Sequence, residues 1–111
     1  MMLEKAWAKI KGSYGAISAG CPHEVLQTFS VAPCYFYPLE EEQDQAYQDY
    51  VWGDLVDAAD ELMPIVAGTK ADTKLPGLEP SHAYTVLDAQ NVTSKGKVCR
   101  LMRLRNPWGK T

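Results

Sequence analysis

One hundred and eleven residues are enough for one hydrophobic core and short for two, since autonomous domains usually run to about 100–150 residues, so residues 1–111 are expected to form a single domain. Hydrophobic residues at 46% and charged residues at 23% are ordinary for a globular chain and exclude a disordered, collagen-like or coiled-coil reading. The net charge of −3 excludes a general pull towards nucleic acid, and no apolar run approaches the roughly 18–20 residues that cross a bilayer.

The N-terminus, Met1-Met2-Leu3-Glu4-Lys5, is a charged amphipathic start rather than a signal peptide. Met2 to Lys11 places Leu3, Ala6, Trp7 and Ile10 at helical spacing, which predicts an amphipathic helix ending at Gly12 with Trp7 in the core. The small residues from Ser13 to Gly20 suit a close-packed turn or a second short helix. Pro22-His23-Glu24, followed by Val25, Leu26 and Phe29, predicts a further helix with proline in its first turn. Cys21 and His23 have no second ligand pair within metal-binding spacing, so a zinc site is rejected. The three cysteines, Cys21, Cys34 and Cys99, are odd in number and widely spaced, which suits reduced thiols in a cytoplasmic compartment.

Ala32 to Pro38 is an aromatic run bracketed by prolines, readable as a short edge strand packed under a sheet. Glu40 to Glu61 holds nine of the fourteen acids, and Tyr47, Val51, Leu55, Ala58, Ala59 and Leu62 recur at helical spacing through it, so the long helix is expected there, with Gly53 as a weak point. Its acids follow a helix face rather than a calcium-binding D-x-D-x-D-G loop. Met63 to Thr69 reads as a short strand and Lys70 to Glu79, with Pro76 and Gly77 inside it and Pro80 directly after it, as an exposed loop.

His82 to Asp88 and Val98 to Leu104 are β-prone, and Thr93-Ser94-Lys95-Gly96 between them is turn chemistry, predicting a hairpin. A turn centred on Ser94 pairs Asp88 with Arg100, Val86 with Met102, Tyr84 with Leu104 and His82 with Asn106. Opposed Cβ atoms lie roughly 4.5–5.5 Å apart, so His82 and Asn106 would touch. Such a pair is more often structural, but an imidazole held at one nitrogen by a carboxamide also forms the orienting half of a Cys-His-Asn triad. The architecture expected is α+β, an antiparallel sheet flanked by helices.

Three segments resemble the calpain cysteine proteases. His82-Ala83-Tyr84-Thr85-Val86 and Arg103-Leu104-Arg105-Asn106-Pro107-Trp108-Gly109 resemble that family's histidine and asparagine motifs, and Leu3 to Lys9 with Gly12-Ser13-Tyr14 resembles the start of the second half of its protease core. Cys21 to Glu61 departs from the usual pattern. The resemblance implies a papain-like division of labour, in which a separate first half brings the nucleophilic cysteine in a Gly-x-Cys-Trp motif. Cys21, Cys34 and Cys99 precede Pro22, Tyr35 and Arg100, so none matches it. It implies His82 as general base and acid, Asn106 as its orienter, and Trp108 and Ser81 at the substrate groove, Ser81 standing where calpains usually have glycine. Trp108 alternatively reads as a core tryptophan.

The family's calcium dependence is implied for a full-length protein, with the ligands of this half's calcium site expected outside this chain. A Cys-bearing first half and extended protein segments are the implied partners, and an exposed sheet edge would favour a homodimer of the isolated chain. A catalytically inactive, calpain-like interaction module is the rival reading. Binding of acidic ligands by the basic segment from Lys95 to Thr111 rests on charge alone.

Overall fold

A computed structural model describes residues 1–109. They comprise three α-helices and a three-stranded antiparallel sheet, the α+β class expected from sequence. No helix among them is long and apolar enough to cross a membrane. The chain divides into two compact units, Met1–Tyr35 and a second beginning at Phe36.

The first unit holds α1 (Met2–Lys11), a short 3-10 turn over Gly15–Ile17, and α2 (Pro22–Ser30). Helix α1 ends where predicted, because Gly12 adopts φ 101°, a left-handed conformation that glycine enters without a Cβ clash. Trp7 is half-buried rather than enclosed, with Phe29 at 5.8 Å between ring centroids. Lys11 lies over the Trp7 ring and pairs with Glu24 at 3.1 Å.

The run from Ala32 to Pro38, which passes from the first unit into the second at Phe36, forms no strand. Pro33 and Pro38 have no N–H to give a ladder, and Tyr35 and Phe36 are 79% and 69% exposed instead of packed beneath a sheet. Tyr37 anchors the segment through its side chain: its hydroxyl donates to the Asp54 carboxylate, and its ring meets Tyr50 edge-on. That hydrogen bond, with desolvation, holds the Tyr37 phenol above its ordinary pKa.

The long helix, α3, spans Gln45–Asp60 and starts five residues later than the acidic block does. Asp44 is its N-cap: in extended backbone, its carboxylate accepts the Tyr47 N–H at 2.8 Å, satisfying one of the first-turn donors. Glu40 to Gln43 stay outside the helix as turn and irregular chain. The Gln43 amide and the Tyr47 hydroxyl both donate to the Pro38 carbonyl, fixing the entry. Gly53 does not interrupt α3.

Strand β1 (Ile65–Gly68) pairs with β2 (Ala83–Ser94), which pairs with β3 (Lys97–Arg105), leaving β1 and β3 at the edges. The hairpin turn is Lys95-Gly96, with φ 50° and 75°, the two positive values of a two-residue turn that matches strand twist. This corrects the register: Ser94 pairs with Lys97, Asn91 with Arg100 and Asp88 with Arg103, and after a bulge at Leu87, Val86 pairs with Leu104. Tyr84, Val86 and Ala89 are the buried core of the sheet, on which α3 packs. Trp52 of α3 donates its indole N–H to Asn91, and Asp49 pairs with Arg100.

Two outcomes test this description. Asp44→Ala should lower stability to urea by about 1 kcal/mol and Asp44→Asn by far less. Asp54→Ala should let Tyr37 ionise at lower pH in a phenol titration. A raised folded pKa means that the bond's stabilisation is complete below about pH 10, where the unfolded phenol titrates, and is lost as pH rises through the folded value.

Candidate functional site

The bulge decides which side chains meet. Along β3, alternation places Arg100, Met102, Leu104 and Asn106 on one face, and Arg100 identifies that face as the one turned to α3. On β2 the matching residues are Asn91 and Ala89 before the bulge, then Val86 and Tyr84 after it. One extra residue, Leu87, changes the face from odd to even numbers. Without it Asn106 would fall opposite Thr85, on the other face from His82.

With it, His82 and Asn106 share a face as diagonal neighbours beyond the strand ends. His82 Nε2 lies 2.9 Å from Asn106 Oδ1. The predicted contact therefore forms, at the end of a hairpin whose turn lies between Asn91 and Gly96, but two residues out of the register that suggested it. The same Oδ1 accepts the Trp108 backbone N–H at 3.0 Å. A backbone N–H only donates, so the amide atom facing it is the carbonyl oxygen, and Nε2 facing that oxygen must carry the ring proton. Nδ1 of the neutral ring is then left with its lone pair, the atom able to take a proton.

Aromatic rings hold the imidazole. Trp108 lies at 4.1 Å between ring centroids, tilted by 44°, and Tyr84 meets it edge-on at 4.9 Å. Trp108 is 62% exposed and Tyr84 only 3%, so the indole covers His82 at the surface and is not a core tryptophan, while the phenol supports it from the core. Ser81 is exposed at φ 49°. A left-handed backbone favours glycine, which gives the expected glycine at this position a conformational reason.

The segment before His82 is fastened at both ends. The Glu79 N–H donates to the Tyr84 hydroxyl at 2.8 Å, and the His82 N–H donates to Thr69 Oγ1 at 2.9 Å. Neither contact is visible in sequence spacing, since both depend on the turn at Ser81.

All three cysteines are free thiols. Cys99 pairs with Val92, ten residues up β2 from His82, which at about 3.3 Å per residue is roughly 30 Å away, so it cannot meet this imidazole. Among the described residues no three His, Cys, Asp or Glu side chains converge as a metal ion requires. They do not fit a calcium site. Of the basic segment, Arg100 and Arg103 are paired with Asp49 and Asp88, while Lys110 and Thr111 lie outside the described residues.

A family model described as calpain family cysteine protease matches residues 1–111. The calpain-1 catalytic subunit of Rattus norvegicus is 37% identical over 97% of this chain, that of Homo sapiens 33% identical over 97%, and the calpain-2 catalytic subunit of Gallus gallus 33% identical over 97%. The chain spans only 15%, 15% and 16% of those relatives respectively.

Relief of the left-handed backbone at position 81 is measurable. Ser81→Gly should raise stability in urea by about 0.5–1 kcal/mol, the steric gain of roughly 1–2 kcal/mol exceeding glycine's greater entropy loss of about 0.5–1 kcal/mol.

Proposed function

This chain belongs to the calpain family of cysteine proteases, and on that premise we propose that it is the histidine-and-asparagine half of a cysteine endopeptidase whose nucleophilic cysteine comes from a separate half. The observation that supports this reading is the shared acceptor at Asn106, which takes the Trp108 N–H and faces His82 Nε2. It leaves Nδ1 as the only imidazole atom able to receive a thiol proton.

On this reading a cysteine thiol brought beside His82 gives its proton to Nδ1, and the thiolate attacks the carbonyl carbon of an extended protein substrate. The tetrahedral intermediate collapses as His82 passes that proton to the leaving amine, giving a thioester. Water then attacks the thioester while Nδ1 takes the water's proton, and its return to the departing sulfur frees the carboxylic acid and regenerates the thiol. Asn106 keeps the ring in the Nε2–H form through both half-reactions and supports the imidazolium between them. Trp108 and Ser81 flank the groove on this account, and the indole shields the His82–Asn106 bond from water.

Calcium dependence of the whole protease belongs to this proposal as a property of segments other than those described, and so does a cytoplasmic setting, which the odd number and wide spacing of the cysteines support. The isolated chain should not cleave casein at any calcium concentration. Joined to a Cys-bearing first half it should, and His82→Ala should then lower kcat/KM by at least about a hundredfold, with Asn106→Ala reducing it while leaving a residual rate. Cleavage by the isolated chain that His82→Ala removes, or a joined protein that stays inactive with its cysteine intact, would contradict the proposal; the second result would favour a non-catalytic interaction module.

A further inference from the structure

The pairing of β1 with β2 matches Ile65 with Val86 and Gly68 with Ala83, and carried one step further it sets Thr69 opposite His82. An antiparallel pair that continued the ladder there would exchange two backbone bonds, N–H to C=O in each direction. One of them is made: the Thr69 N–H donates to the His82 carbonyl at 2.9 Å. The second is changed. Ser81, at φ 49°, turns the chain just before His82, and the His82 N–H donates at 2.9 Å to the Thr69 hydroxyl oxygen.

The hydroxyl proton has one destination at a time. The Glu79 carbonyl, 2.6 Å away, is the closer acceptor, and the His82 carbonyl is 3.1 Å away. Thr69 Oγ1 thus accepts from His82 and donates back to Glu79, closing the ends of the 70–81 loop on the residue that bears the imidazole. From the other side, Asn106 holds the imidazole itself. His82 is consequently gripped at its backbone by Thr69, the residue directly after β1, and at its ring by the segment after β3.

We propose that Thr69 is a positioning residue for His82: its hydroxyl replaces the missing ladder bond and sets the His82 backbone so that Nε2 reaches Asn106. The proposal rests on the reading of His82 as the functional imidazole, but its test is read on the ring and the amide rather than on cleavage. A misplacement of about 1 Å at a reacting group lowers rates by up to about a hundredfold, which is the sense in which a backbone bond matters to the chemistry.

The side chain required is small and must both accept and donate. Threonine and serine satisfy this; valine has the same shape without the hydroxyl, and leaves the His82 N–H and the Glu79 carbonyl without that partner.

The test uses the whole chain, labelled with nitrogen-15, in wild-type, Thr69→Val and Thr69→Ser forms, followed by amide hydrogen exchange at His82 and by the imidazole nitrogen shifts. Wild type should protect the His82 amide, and Thr69→Ser should keep both signals within about twofold. Thr69→Val should speed His82 exchange at least tenfold and move the ring from a single Nε2–H form towards a mixture of tautomers, while amides of α3 keep their protection. Thr69→Val with wild-type exchange and ring shifts at His82 would overturn the proposal, as would a wild-type His82 amide that exchanges like an open loop. If Thr69→Val does not fold, the wild-type amide and the serine variant still decide, because loss of either signal in Thr69→Ser refutes the role of the hydroxyl. A Thr69 effect found in a joined protein that proves inactive would sink the protease reading alone.

Discussion

One oxygen, Asn106 Oδ1, governs what this chain can do chemically. It accepts the Trp108 N–H and faces His82 Nε2, and because the first of these partners can only donate, the protonation of the second is set. The imidazole is thereby committed to a single neutral tautomer with Nδ1 bare, before any substrate or nucleophile arrives. Such preorganisation is what a general base requires, since a ring that rotates or exchanges tautomers spends much of its time in unproductive forms.

That oxygen reaches His82 only because the sheet is irregular. A regular hairpin closing on Lys95-Gly96 would send Asn106 and His82 to opposite faces; the extra residue at Leu87 brings them together. The remaining hairpin, its buried stripe of Tyr84, Val86 and Ala89, and the ties from Trp52 and Asp49 of α3 form the rigid support on which this local departure is held. The proposed site lies at the end of the strands, where loops carry side chains that a regular ladder cannot aim.

Much of this was readable in the residues. Helical spacing and Gly12 located α1 to the residue, and Pro22 marked the start of α2. Local chemistry misled where a tertiary partner or cap overrode it. Ala32 to Pro38 has strand-forming residues but loses two ladder donors at Pro33 and Pro38, and the acids before Asp44 look helical in composition while Asp44 itself is the cap. The hairpin reading shows the same limit. Thr93 and Ser94 look like turn residues but lie in β2, since the positive φ values fall on Lys95 and Gly96. The contact between His82 and Asn106 was anticipated by a register now corrected: the tighter turn displaced the pairing by three residues, the bulge recovered one, and the two left over preserve the face. Nothing in the spacing marks the bulge at Leu87, and nothing in it marks the left-handed turn at Ser81 that gives the Thr69 hydroxyl its contact with His82.

The tautomer of His82 is the property on which this chemistry turns. A long-range proton–nitrogen correlation spectrum of the labelled chain at mildly alkaline pH reads it directly. The structure predicts one His82 pattern with Nε2 protonated and Nδ1 bare, lost in Asn106→Ala. A His82 ring protonated on Nδ1, or averaged equally between both nitrogens in the wild-type chain, would contradict it.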